Sequence, residues 1–132
     1  MNTLEESPMG KVQTFTNNQL TIDVADEERT ITVHFLGKSI LRDPNEFVMP
    51  ILLRTLGEAI PARKRIVMNF RDLSYMNSST LTPVIKILER ARVGEGQITV
   101  EYRKSLKWQD ISFSALVIFQ TPDGRIVIEG TD

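Results

Sequence analysis

The sequence predicts an α/β fold: one mixed β-sheet of about five strands with about three helices, in the order ββαβαβαβ. Three observations carry this. Leu20, Ile22 and Val24 alternate with polar residues, as do Ile31, Val33 and Phe35, which is the period of a half-buried strand. Apolar residues recur at helical spacing over 47–60 and 81–88. Each helical stretch is followed by an apolar run suited to a strand, so the elements alternate. Such alternation belongs to a parallel or mixed sheet with right-handed crossovers.

The elements follow in chain order. Residues 1–17 are polar, contain Pro8 and Gly10, and are expected to be a flexible N-terminal segment ahead of a single domain over 18–132. The two alternating runs, joined by the charged turn at 25–29, predict a hairpin with one buried face that ends at Gly37. Asp43, Pro44 and Glu46 mark a helix start, with Asp43 as cap and Pro44 at the first helical position. Phe47, Ile51, Leu52, Leu56 and Ile60 form its apolar face; Pro50 should kink or split it and Pro61 should stop it.

Residues 65–70 (RIVMNF) carry apolar side chains on both faces, as in a central strand covered by helices. A second helix carries Leu81, Val84, Ile85 and Leu88 on one side and Lys86, Glu89 and Arg90 on the other, with Gly94 and Gly96 at its end. Ile98, Val100 and Tyr102 make a strand, 106–116 a third helix, 122–124 a turn and 125–129 the last strand.

Composition excludes several classes of function. The 132 residues hold 16 Lys+Arg and 17 Asp+Glu for a formal net charge of -1, so no bulk positive charge carries nucleic-acid binding. With no Cys, disulfides, thiolate metal sites and thiol catalysis are absent. A chain of this length buries roughly two-thirds of its unfolded surface and needs no metal or disulfide to fold. No apolar run reaches the roughly 20 residues of a membrane helix. The N-terminus does not read as a secretory signal, so the expected setting is the cytoplasm, with no membrane partner.

Catalytic chemistry finds little support. His34 is the one histidine and lies mid-strand, opposite the hairpin's apolar face. No G-x-S-x-G elbow accompanies it, and neither phosphate-loop pattern occurs. A metal site and a cofactor are therefore not expected. Trp108 shares a helix face with Ile111 and Ala115 and reads as core or rim packing.

The informative segment is Asn77, Ser78, Ser79, Thr80, Leu81, Thr82, Pro83. It places four hydroxyl residues within positions 78–82, between a strand and an amphipathic helix. Pro83 lacks an N–H, and a cap at Thr80 would put it where helices leave the first N–H groups unpaired. Ser and Thr are favoured helix caps, and capping alone would explain one of them. Four also fit a phosphorylation switch, because a helix start tolerates a phosphoryl group well.

The run Arg65, Ile66, Val67, Met68, Asn69, Phe70, Arg71, Asp72, Leu73, followed by Ser74, Tyr75, Met76, Asn77, Ser78, Ser79, Thr80 and Leu81, resembles the STAS domains of anti-sigma-factor antagonists (SpoIIAA-like). The motif covers 65–88 and the element order about 18–129. The family carries Asp and Gly where this chain has Asn77 and Thr80, so the turn is more similar to the divergent SiaC-type regulators, which also place Asn before the hydroxyls.

The resemblance implies a non-enzymatic bacterial signalling protein that switches partners when a turn serine is phosphorylated. Alignment on Asp-Ser-Ser gives Ser79; alignment on the Asn-led variant gives Ser78. The implied partners are a serine kinase resembling an anti-sigma factor and a phosphatase, and the output is a sigma-factor pathway or a diguanylate cyclase. The expected partner-binding surface is Asn77, Ser78, Ser79, Thr80, Thr82 and Lys86, with Arg54 and Arg90 as neighbours. The competing expectations are a nucleotide- or anion-sensing module of the same fold and a serine hydrolase using Ser78 or Ser79. An edge strand pairing between chains leaves monomer or weak homodimer open.

Overall fold

The computed structural model describes residues 11–132 as a mixed α/β domain with three α-helices and a seven-stranded sheet. The strands are β1 (Lys11–Asn17), β2 (Leu20–Asp26), β3 (Thr30–Ser39), β4 (Arg65–Asn69), β5 (Leu73–Met76), β6 (Ile98–Arg103) and β7 (Ile126–Thr131). The helices are α1 (Pro44–Ala62), α2 (Leu81–Val93) and α3 (Lys107–Ser114), with short 3₁₀ turns at Ser78–Thr80 and Ala115–Phe119. The sheet runs β1-β2-β3-β4-β6-β7, antiparallel among the first three strands and parallel thereafter, with β5 paired to β3.

Two strands beyond the expected five account for the difference in order. β1 occupies positions expected to be flexible: residues 11–17 pair antiparallel with β2 along their whole length, while 1–10 lie outside the described residues. Its pattern is faint because the strand sits at the sheet edge, with only Gln13 and Phe15 half-buried. A two-residue turn at Asn18 and Gln19 links it to β2, with Asn18 in the left-handed region at φ 58. β5 is four residues long and buries Leu73 and Met76, a spacing that does not alternate. It pairs with the end of β3 after an irregularity at Gly37/Lys38, so β4 and β5 together line one side of β3.

β3 also runs past Gly37 to Ser39. Gly37 has φ 89, and a Cβ there would collide with the Gln19 carbonyl, so glycine is required within the strand rather than at its end.

One face of the sheet carries the core. Register stacks Ile31 on Ile66, Val33 on Met68, Ile66 on Ile98 and Met68 on Val100, all buried. The alternate residues Thr32, His34, Val67, Asn69, Thr99 and Glu101 remain partly exposed. β4 is therefore covered on one side only, not on both as its apolar run predicts.

α1 buries Pro44, Val48, Ile51, Leu52, Thr55, Leu56 and Ala59 as a continuous helical stripe. It is not split at Pro50, and it ends at Ala62, one residue after Pro61. Both prolines lie on its exposed side, and the carbonyls they leave unpaired belong to the exposed residues Glu46 and Gly57, within reach of water. Asp43 precedes the helix without a side-chain cap bond; its carbonyl instead accepts from the Glu46 N–H. Phe35, Phe70 and Phe113 stack at 4.4 and 4.6 Å between ring centres, tying β3 and the end of β4 to α3. Trp108 packs on Phe113 at 6.4 Å.

The candidate site: a hydroxyl turn hung on Asn77

The chain leaves β5 at Met76 and turns into α2 through Asn77. Asn77 is the last extended residue (φ -76, ψ 161), and the helical run starts at Ser78 as a 3₁₀ turn. Thr80 already has helical dihedrals, so the start lies at Asn77 rather than at the expected Thr80 cap. The turn is closed by the Thr80 N–H donating to the Asn77 carbonyl at 3.1 Å, and Pro83 leaves the Ser79 carbonyl without an α-helical donor.

Asn77 is the hub. Its backbone N–H donates to the Ser39 carbonyl at 3.0 Å, and its side-chain Nδ2 donates to the Leu41 carbonyl at 3.0 Å. Its Oδ1 accepts the hydroxyls of Thr80 at 2.7 Å and Ser79 at 3.1 Å. Ser39 Oγ lies 2.6 Å from Thr80 Oγ1, and both residues are 0% exposed. Because Asn77 Oδ1 can only accept, Thr80 gives its single proton there, and Ser39 must donate to Thr80. A directed chain thus runs from Ser39 through Thr80 to Asn77.

The four hydroxyls divide accordingly. Thr80, expected on the partner-facing surface, is buried and committed to the chain, which removes it from that surface. Ser78, Ser79 and Thr82 are exposed, as is Lys86 further along α2, and Asn77 is half-buried. Among the described residues the Ser78 hydroxyl makes no side-chain hydrogen bond, whereas Ser79 is held by Asn77. Exposed Tyr75 and Ile40 flank the turn on β5 and after β3; sequence reasoning did not single them out.

Of the neighbouring cations, Lys86 and Arg90 line a groove between α1 and α2. Arg54 sits elsewhere, in a crevice against Phe15 and Val24 of the N-terminal strands, and pairs with Glu58 at 3.5 Å.

Behind the turn, Gln109 of α3 is fully buried. Its Nε2 donates to the Phe70 and Leu73 carbonyls at 2.8 and 2.9 Å, and its Oε1 accepts the Arg103 N–H at 2.7 Å. One side chain therefore pins the bend between β4 and β5 to β6, and the bend sets where β5 delivers Asn77.

His34 lies on the open face of the sheet, its Nε2 2.7 Å from Asp72 Oδ2, with Arg103 on the other oxygen of Asp72 at 3.5 Å. No hydroxyl is hydrogen-bonded to it among the described residues. No group of three or more carboxylate or imidazole residues is placed to hold a metal, and no helix is long and apolar enough to cross a membrane, again among the described residues.

The fold and turn define a mixed α/β domain that presents two serines at a helix start. The chain matches no protein-family model, and no curated protein matches it.

Proposed function

We propose that this chain is a non-enzymatic, cytoplasmic partner-switch protein of the STAS-like, anti-sigma-factor-antagonist-like kind, controlled by phosphorylation in the turn at Ser78 and Ser79. The observation that carries the reading is the division of the hydroxyls. Thr80 and Asn77 build the turn, and Ser78 stands exposed at its first helical position with its hydroxyl uncommitted. Ser78 is accordingly the leading acceptor, with Ser79 second because it must give up its bond to Asn77. A phosphoryl group there would add close to two negative charges beside the exposed Tyr75 and Ile40, changing a half-apolar surface into an anionic one. The motif resemblance over 65–88 supplies the partner class: a serine kinase, a phosphatase, and a sigma-factor or diguanylate-cyclase output.

The test is phosphopeptide mapping of the protein from its native host. Trypsin releases 72–86 as one peptide, and fragmentation places the phosphate among Ser74, Tyr75, Ser78, Ser79, Thr80 and Thr82. Phosphate on Ser78 or Ser79 is the expected result. A peptide found only unmodified across growth conditions, or phosphate confined to other positions, overturns the reading.

A further inference from the structure

α1 and α2 pack side by side, and the groove between them is lined by Met49 from α1 and by Lys86, Glu89, Arg90, Val93 and Gly94 from α2 and its end. Val93, in its lining, is 83% exposed; Leu53, outside the lining but one helical turn on from Met49 along α1, is 38% exposed. Its charges are unbalanced. Glu89 is engaged by Arg92 at 3.5 Å, while Lys86 and Arg90 make no ion pair among the described residues. These two cations stand four residues apart on one side of α2, about 6 Å along the axis.

We propose that this groove is a docking site for an acidic amphipathic segment of a protein partner. Apolar side chains of that segment would lie on Met49, Leu53 and Val93. Two carboxylates one helical turn apart would meet Lys86 and Arg90. A segment in a groove between two helices is a known mode of peptide recognition, and charge complementarity selects the occupant. Ser79 lies seven and eleven residues before Lys86 and Arg90, which places all three on one side of the helical run. The groove therefore deepens the partner-switch reading by naming the chemistry of the partner. Its argument uses only the unmodified protein, so its failure leaves the serine assignment standing.

The experiment titrates the isotope-labelled full chain with a synthetic helical peptide bearing Leu at one face and Glu at i, i+4, and with its Gln-for-Glu counterpart. The expected result is amide shifts confined to residues 49–53 and 86–94, produced by the Glu peptide and diminished by salt. Lys86→Glu with Arg90→Glu should weaken binding about tenfold or more, because like charges then meet at the interface. If that pair fails to fold, Lys86→Gln with Arg90→Gln serves, with a smaller loss. Absence of shifts at millimolar peptide, shifts elsewhere, or equal binding of the Gln peptide overturns the proposal. So does binding of vesicles rich in anionic lipid through the same residues without peptide binding, which would assign the groove to a membrane surface.

Discussion

The side-chain amide of Asn77 donates to the carbonyl of Leu41 at 3.0 Å while its oxygen gathers the hydroxyls of Ser79 and Thr80. This residue must therefore be donor and acceptor at once. A carboxylate could accept the two hydroxyls but would set an oxygen against the Leu41 carbonyl. The amide at this position is thus explained by what faces it, the loop between β3 and α1.

Asn77→Asp should destabilise the protein by about 1–3 kcal/mol, the cost of an unpaired carbonyl facing a charge at a half-buried position. Urea unfolding at neutral pH measures it. Stability equal to or above that of the parent would mean that the Leu41 contact contributes nothing.

Thr80→Val removes the middle of the hydroxyl chain and leaves the buried Ser39 hydroxyl without its acceptor, for a loss of about 1–3 kcal/mol. Ser39→Ala should cost less, since Thr80 keeps its bond to Asn77. The two changes share one hydrogen bond, so the double variant should lose less than the sum of the singles. Strict additivity would show that the Ser39 and Thr80 hydroxyls act independently.

Gln109→Leu preserves most of the volume but removes the side-chain partner of the Leu73 carbonyl and of the Arg103 N–H, and leaves the Phe70 carbonyl with only the Leu73 N–H, at a cost of ~2 kcal/mol or more. Hydrogen exchange should accelerate first over β5 and the hydroxyl turn, because the bend they follow is what Gln109 holds. Uniform loss of protection across the sheet would instead make Gln109 a general core residue.

How far these contacts could be read from the sequence depends on their range. The α/β class and the strands over Leu20–Asp26 and Thr30–Ser39 were legible because one-sided burial writes an alternating pattern. β1 was not, since an edge strand with two half-buried residues leaves little pattern. β5 was not, because Leu73 and Met76 are three apart. The hydroxyl cluster stood out by composition. Its partners did not: Thr80 meets Ser39 across 41 positions and Asn77 meets Leu41 across 36. Periodicity reports burial, not which distant carbonyl a side chain will find, so the division of the serines from Thr80 required the folded chain.

The far end of α2 carries the prediction about pH. Arg125 donates to the carbonyls of Ala91, Arg92, Gly94 and Gly96 at 2.9, 3.1, 3.2 and 3.2 Å, supplying partners to a helix end that otherwise lacks them. Asp123 holds the guanidinium at 3.0 Å. The Thr121 hydroxyl, and then the backbone and side chain of Arg125, lower the Asp123 carboxyl from 3.8 to about 2. Because the folded value is depressed, this contribution is present above the unfolded value and is lost as pH falls through about 2. The stability difference between the parent and Asp123→Asn should therefore be constant near neutrality and narrow between about pH 4 and pH 2, with salt reducing it throughout because the site is exposed. Urea unfolding across that range is the measurement, and a difference that does not narrow would place the effect of Asp123 outside its charge. Arg125→Ala should lose more than Asp123→Asn at every pH, since it also strips the carbonyls at the end of α2 of their donor.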